Sequence, residues 1–176
     1  AVAEGDPAVV GLVIRSIACT GDRPPSTCTG ALIAPRVVLT AAHCLRARRP
    51  GELRVLFGRD RASGALIDVD DGVVHPQYDP TTQRFDVALL RLARPAEQEP
   101  FVVETRGLDA TFEGASVRLV GFGLDETGAS GVKRAGTARV STLEAETFRY
   151  APGPAMTCGG DSGGPVLADL GMGERL

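Results

Sequence analysis

The sequence predicts an all-β protein. Three observations indicate this class: 22 glycines and 12 prolines in 176 residues, short apolar stretches bounded by turn residues, and no long segment with helical periodicity. With 43% hydrophobic residues, the chain has the composition of a globular protein rather than a disordered one.

Eight short segments are predicted to be strands, because each is apolar and bounded by Gly, Pro, Asp or Ser. They are residues 9–14, 31–34, 37–40, 53–57, 66–69, 87–92, 117–120 and 137–143. A joint rich in Pro and Glu at residues 94–100 divides these strands into two sets. We therefore predict a first unit over residues 1–95, a linker over residues 96–100 and a second unit over residues 101–176.

Charge and hydropathy exclude two classes of partner. The net charge is −3, and the basic cluster of Arg46, Arg48 and Arg49 is short and typical of a solvated loop, so no nucleic-acid interface is predicted. The longest clear apolar run, residues 8–14, ends at Arg15. A membrane helix needs roughly 18 apolar residues, so we expect no membrane span.

Three separated motifs predict a hydrolase with a serine nucleophile. His43 stands in Thr-Ala-Ala-His-Cys, Asp86 opens an Asp-Val-Ala-Leu-Leu run, and Ser162 lies in the turn Gly-Asp-Ser-Gly-Gly-Pro. A serine hydroxyl is nearly inert at neutral pH, so it needs a base within hydrogen-bond reach, and the base needs a third group that fixes its orientation. The motifs supply one residue for each role.

The turn around Ser162 also fits Gly-x-Ser-x-Gly, the nucleophile elbow of α/β-hydrolases. Those enzymes place the histidine after the serine, whereas both histidines of this chain, His43 and His75, precede Ser162. Loop residues precede the turn and Pro165 follows it, so the strand and helix that flank an elbow are not predicted. The sequence therefore excludes the elbow.

The three motifs together resemble the trypsin/chymotrypsin family of serine endopeptidases, in which histidine, aspartate and serine follow in this order. The resemblance extends to residues 74–78 and to Val-Gly-Phe-Gly at residues 120–123, where the family has tryptophan in place of phenylalanine. It implies two antiparallel six-stranded β-barrels with the active site between them. His43 and Asp86 would lie in the first barrel and Ser162 in the second.

The resemblance also implies individual roles. Ser162 would attack the substrate, His43 would shuttle the proton and Asp86 would orient His43. The backbone N–H groups of Gly160 and Ser162 would hold the oxyanion. Met156 would lie at the base of the specificity pocket, where its lack of charge favours apolar side chains over Arg or Lys. The alternative is that Met156 packs in the core of a remodelled second barrel.

Four cysteines allow three complete pairings, and sequence alone leaves the choice open. The resemblance implies a Cys28–Cys44 disulfide, which indicates an oxidising compartment, either extracellular or periplasmic. In the family the counterpart of Cys158 pairs with a cysteine beyond the serine, and this sequence has none there. We therefore expect Cys158 to be unpaired, and the alternative for Cys19 and Cys158 is a buried free thiol.

No cofactor and no metal is expected. A zinc site needs three or four convergent ligands, whereas the two histidines stand in unrelated motifs and Cys28 and Cys44 are expected to form a disulfide. His75 is accordingly predicted to be a loop residue.

The resemblance further implies that the chain is truncated at both ends. Mature family members begin with an Ile-Val-Gly-Gly-like sequence whose ammonium group pairs with the aspartate before the serine, here Asp161, and residues 1–5 do not match that sequence. We therefore expect Asp161 to lack its partner and the oxyanion loop to relax. Two-barrel domains run to roughly 200–250 residues, so the second barrel is expected to be incomplete.

These inferences predict a secreted, monomeric serine endopeptidase that cleaves polypeptide substrates through an acyl-enzyme, with protein protease inhibitors as further partners. A non-catalytic homologue that acts as a binding module is one alternative, and the intact trio of His43, Asp86 and Ser162 disfavours it. An esterase that uses the same trio is the other, and shared acyl-transfer chemistry leaves it open. Activity of the truncated chain also stays open.

Overall fold

Strands form the fold of the computed structural model, which describes residues 2, 5–15, 28–46, 48–151, 153, 156–171 and 173–176. The strands are β1 (Val9–Ile14), β2 (Cys28–Ala34), β3 (Val37–Thr40), β4 (Leu53–Phe57), β5 (Ala65–Val74), β6 (Ala88–Leu92), β7 (Ser116–Gly121), β8 (Arg134–Leu143), β9 (Phe148–Tyr150), β10 (Val166–Asp169) and β11 (Glu174–Arg175). Three short 3₁₀ helices, Ala42–Leu45, Pro50–Glu52 and Ala110–Phe112, lie between them. None of these helices is long and apolar enough to cross a membrane. The all-β prediction is confirmed.

The first six strands close into a barrel in the order β1-β2-β3-β6-β5-β4, with antiparallel neighbours. Closure pairs every strand edge with another strand. On β6, the buried residues Ala88, Leu90 and Leu92 alternate with less buried ones, as a strand with one face in a core requires. The barrel interior is filled by apolar side chains, among them Leu12, Leu32, Val38, Val55 and Phe57.

The remaining strands form a separate five-stranded sheet in the order β11-β10-β7-β8-β9, which does not close. Its core holds Phe112, Val117, Leu119, Ala138 and Val140. The rings of Phe112 and Phe148 meet edge to face, with centroids 5.3 Å apart. The prediction of an incomplete second barrel is therefore confirmed.

Several strands differ in length from their predicted bounds. β2 begins at Cys28 rather than at residue 31, and β8 begins at Arg134 rather than at residue 137. β5 continues to Val74 instead of ending at Val69, through a register shift between Val69 and Asp71. Pairing with β6 extends this strand across Asp and Gly residues, which have low intrinsic strand propensity.

An apolar cluster joins the barrel to the open sheet. It contains Val9, Val13 and Leu56 from the barrel and Val120, Phe122 and Leu167 from the second unit. Lys133 is buried beside it, donates an Nζ–H to the Asp6 carbonyl oxygen at 2.8 Å and lies 5.7 Å from the Phe122 ring centroid. Burial lowers the pKa of Lys133 to about 8, and the charge of Asp6 acts in the opposite direction. The predicted domain bounds and the linker at residues 96–100 stay predictions.

Candidate active site

Neighbouring strands bring His43 and Asp86 together. β3 ends at Thr40, directly before the 3₁₀ helix that carries His43, and Thr40 pairs with Ala88, two residues beyond Asp86. Asp86 Oδ2 lies 2.7 Å from His43 Nδ1, and Asp86 Oδ1 accepts the backbone N–H of His43 at 2.8 Å. An ionised carboxylate only accepts hydrogen bonds, so Nδ1 is assigned the proton. This leaves His43 Nε2 as the basic nitrogen.

A disulfide holds the histidine segment against β2. Cys28 and Cys44 are bonded, with a Cα–Cα distance of 6.2 Å, so the pairing implied by the resemblance is confirmed. Cys158 is a free thiol, and it is exposed rather than buried. Cys19 lies outside the described residues.

The one group of three possible metal-ligating side chains in the described part of the chain consists of this disulfide and His43. Cys28, Cys44 and His43 place their sulfur and nitrogen atoms within 4.8 Å of one another. Because the disulfide occupies both sulfurs, they offer no thiolate, and the imidazole remains the one strong ligand of the group. His75 lies in the loop after β5, where it stacks on Phe85 with ring centroids 5.0 Å apart.

The barrel also fixes the backbone of Ser162. The Thr29 N–H donates to the Ser162 carbonyl oxygen at 2.9 Å, and Cys44 Sγ lies 3.7 Å from the same oxygen. Since Cys44 follows His43 directly, these contacts place the serine loop beside the histidine segment.

The close approach of this loop depends on Gly163. A Cβ atom at this position would lie 2.3 Å from Thr40 Oγ1 and 2.6 Å from the Ala41 nitrogen, both far below van der Waals distance. Gly163 also has φ of +78°, a conformation that L side chains rarely adopt. The glycine after the serine is therefore needed for the loop to reach the barrel.

Two amide groups near Ser162 are available to an external acceptor. Gly160 has φ of +99°, and the Gly159 carbonyl oxygen accepts the Leu124 N–H at 2.9 Å. Because N–H and C=O point in opposite directions across a trans peptide, this bond turns the Gly160 N–H away from Leu124. Neither the Gly160 N–H nor the Ser162 N–H donates to a residue that the structure describes.

Asp161 has hydrogen-bond partners within the described residues. Its Oδ1 accepts the Gly123 N–H at 2.8 Å and its Oδ2 accepts the Cys158 N–H at 2.9 Å. A Cβ atom on Gly123 would lie 2.5 Å from Asp161 Oδ2, so a glycine is required there. Backbone amides therefore satisfy both oxygens of the Asp161 carboxylate, and the expected lack of an ammonium partner stays a prediction. Ala1, Ala3 and Glu4, which belong to the segment that this prediction concerns, lie outside the described residues.

A cavity of about 560 Å³ opens beside Ser162 along the face of the open sheet. Met156, Cys158, Asp161 and Ser162 all line it. Met156 is 59% exposed, which contradicts the alternative in which it packs in a core. The methionine and the serine therefore share one cavity.

Thr29 is a residue that motif analysis missed. It is fully buried in β2, its hydroxyl donates to the Gly160 carbonyl oxygen at 2.8 Å, and it accepts the Phe122 N–H at 3.0 Å. The sequence signal is a hydroxyl residue within the otherwise apolar segment Cys-Thr-Gly-Ala-Leu-Ile-Ala. A polar side chain buried in a barrel wall needs partners, and here they lie in the second unit.

The structure combines a closed β-barrel and a second antiparallel sheet with a His–Asp pair next to a glycine-rich serine turn. This combination is typical of serine hydrolases that are built from two β units. Residues 3–173 match the family model described as Trypsin. The chain belongs to the trypsin family, a family of serine peptidases.

Curated relatives agree with this family. The chain is 29% identical over 160 residues to a trypsin of Saccharopolyspora erythraea, and this match covers 81% of this chain and 70% of the relative. It is 33% identical over 187 residues to coagulation factor XII of Bos taurus, covering 84% of this chain and 30% of the relative. It is 28% identical over 166 residues to a chymotrypsin of Phaedon cochleariae, and this match covers 81% of this chain and 59% of the relative. The chain thus spans less than a third of the length of coagulation factor XII.

Proposed function

We propose that this protein is a serine endopeptidase that hydrolyses peptide bonds through an acyl-enzyme formed on Ser162. The observation that carries the proposal is that Asp86 accepts hydrogen bonds from both the ring and the backbone N–H of His43, beside the serine loop. An imidazole held at Nδ1 by a carboxylate, with Nε2 left as the basic nitrogen, is the arrangement that a serine nucleophile requires.

In the proposed mechanism, Ser162 Oγ attacks the carbonyl carbon of the substrate while His43 Nε2 takes the hydroxyl proton. The carbonyl oxygen becomes an oxyanion and accepts hydrogen bonds from the N–H groups of Gly160 and Ser162. The C–N bond then breaks, and His43 gives its proton to the leaving amine. Water, deprotonated by His43, hydrolyses the ester on Ser162 and regenerates the hydroxyl.

Asp86 has two tasks in this cycle. Its Oδ2 holds Nδ1 as the protonated nitrogen, and its negative charge stabilises the imidazolium that forms when His43 takes the proton. Asp86 keeps its charge throughout, because no step requires it to take the proton.

The proposed substrates are polypeptides, and proteins that occupy the same cleft would inhibit the enzyme. We propose an oxidising extracellular or periplasmic location, supported by the Cys28–Cys44 disulfide. A monomer is the proposed working unit.

Chemical labelling tests the proposed nucleophile. A fluorophosphonate reagent is expected to form one adduct, on Ser162, because only an activated hydroxyl reacts quickly. Peptide mapping by mass spectrometry locates the adduct, and the exposed hydroxyl of Ser141 serves as the internal control. Folded protein without an adduct would indicate a non-catalytic homologue, and turnover of esters without turnover of peptides would indicate an esterase.

Met156 is proposed to set the preference for the side chain that precedes the scissile bond. The methionine lines the cavity next to Ser162 and carries no charge, so its side chain offers a guanidinium no ionic partner. A positional peptide library is expected to show cleavage after apolar residues, and Met156→Asp is expected to introduce cleavage after Arg or Lys. Dominant cleavage after Arg or Lys by the unmodified protein would contradict this assignment.

A further inference from the structure

Thr29 lies where the barrel wall meets the serine loop. It is 0% exposed and stands in β2 between the disulfide residue Cys28 and Gly30. Both the donor and the acceptor capacity of its hydroxyl are used by groups outside the barrel. At a fully buried position a hydroxyl is costly unless it is hydrogen-bonded, and a satisfied buried hydroxyl makes the local arrangement more rigid.

The bonds of Thr29 reach the residues on either side of Asp161. Its hydroxyl donates to the Gly160 carbonyl oxygen at 2.8 Å, and its backbone N–H donates to the Ser162 carbonyl oxygen at 2.9 Å. The Thr29 carbonyl oxygen in turn accepts the Thr40 hydroxyl at 2.8 Å, which ties the residue to β3. One barrel residue therefore fixes two peptide units of the loop.

These two units adjoin the peptide units that carry the proposed oxyanion donors, the N–H groups of Gly160 and Ser162. Gly160 has φ of +99° and no side chain, so its own backbone preference leaves it free to rotate. The Gly159 carbonyl is held by the Leu124 N–H, and the Asp161 carbonyl is held by the Gly164 N–H at 2.9 Å. The Thr29 hydroxyl fixes the Gly160 carbonyl, which lies between these two carbonyls in the chain. Together the three hydrogen bonds orient the N–H groups of Gly160 and Ser162.

We propose that Thr29 is a positioning residue for the oxyanion-binding site. Its hydroxyl holds the Gly160 carbonyl so that the N–H groups of Gly160 and Ser162 converge on one oxygen. Thr29 does not touch the substrate, and it acts through the loop. This inference rests on the proposed peptidase function, because an oxyanion site has a task only in acyl transfer.

The Thr29→Val variant separates the effect of the hydroxyl from the effect of the side chain's shape. Valine keeps the β-branched form that suits a strand, but it leaves the Gly160 carbonyl and the Phe122 N–H without their partner. Thr29→Ser keeps the hydroxyl. Thr137→Val, at an exposed position of β8, is the matched control for the same chemical change.

For Thr29→Val, kcat is expected to fall about tenfold with KM nearly unchanged, less than the 10²–10³-fold that removal of a direct oxyanion donor costs. The affinity of a peptide aldehyde, whose adduct on Ser162 places an oxyanion in the site, should fall in parallel with kcat/KM. Thr29→Ser is expected to remain within about twofold of the unmodified protein, as is Thr137→Val. A purely structural role would instead lower the active fraction without changing aldehyde affinity per active site.

A spectroscopic readout separates failure of this inference from failure of the proposed function. In ¹⁵N-labelled protein, the amide resonance of Gly160 is expected to shift in Thr29→Val and to stay in place in Thr29→Ser, whether or not peptides are cleaved. Absence of Ser162 labelling in the unmodified protein would count against the function alone. Unchanged kcat together with an unchanged Gly160 resonance in Thr29→Val would overturn the inference. If Thr29→Val fails to fold, Thr29→Ser and Thr29→Ala, which differ by one oxygen atom, provide the same comparison.

Discussion

Replacing Ser162 with alanine is expected to lower kcat for peptide hydrolysis by about 10⁴-fold or more, because the variant lacks the hydroxyl that forms the acyl-enzyme. His43→Ala is expected to cause a loss of similar size, since Ser162 then has no base. The double variant should be no worse than either single variant, because the residues act as one unit. Steady-state kinetics on a peptide substrate measure all three.

The other histidine of the chain provides the matched control for this experiment. His75 stacks on Phe85 in the loop after β5 and forms no hydrogen bond or ion pair with Asp86 in the described structure. His75→Ala is therefore expected to retain hydrolysis. Losses that multiply in the Ser162→Ala, His43→Ala double variant would show that the two residues act independently, which the proposed mechanism does not allow.

The fold could be predicted from sequence wherever the signal was local. The strands of the barrel have apolar patterns bounded by turn residues, and all six were predicted, although β2 and β5 extend beyond their predicted bounds. The three short strands β9, β10 and β11 were not predicted, because their existence depends on pairing. β10, for example, has four residues, and it pairs with β7, nearly fifty positions earlier in the chain. Local pattern carries no information on such partners.

The candidate site divides in the same way. The motifs identified His43, Asp86 and Ser162, because each stands in a distinctive local sequence. The contact between Thr29 and Gly160 joins residues 131 positions apart, and no motif records it. The partners of Asp161 were also missed, because one of them is the backbone amide of Gly123, 38 positions earlier. Backbone groups have no sequence signature, so hydrogen bonds to them become visible only in the structure.

The Cys28–Cys44 disulfide stabilises the part of the barrel that carries His43. It closes a loop across a sequence separation of 16 residues, and on the chain-entropy model such a loop contributes about 3 kcal/mol. Changing both cysteines to alanine is expected to lower the free energy of unfolding by about this amount. Denaturation in urea, followed by far-UV circular dichroism, measures the change.

Cys158→Ala is the matched control, because it removes an exposed thiol that forms no disulfide. Its effect on the free energy of unfolding is expected to stay within about 0.5 kcal/mol, as for most surface substitutions. Loss of the disulfide should also lower kcat in protein that is still folded, because Cys44 follows His43 directly and its sulfur lies 3.7 Å from the Ser162 carbonyl oxygen. A double alanine variant as stable as Cys158→Ala would show that the hydrogen bonds of Asp86 hold the histidine segment without help from the disulfide.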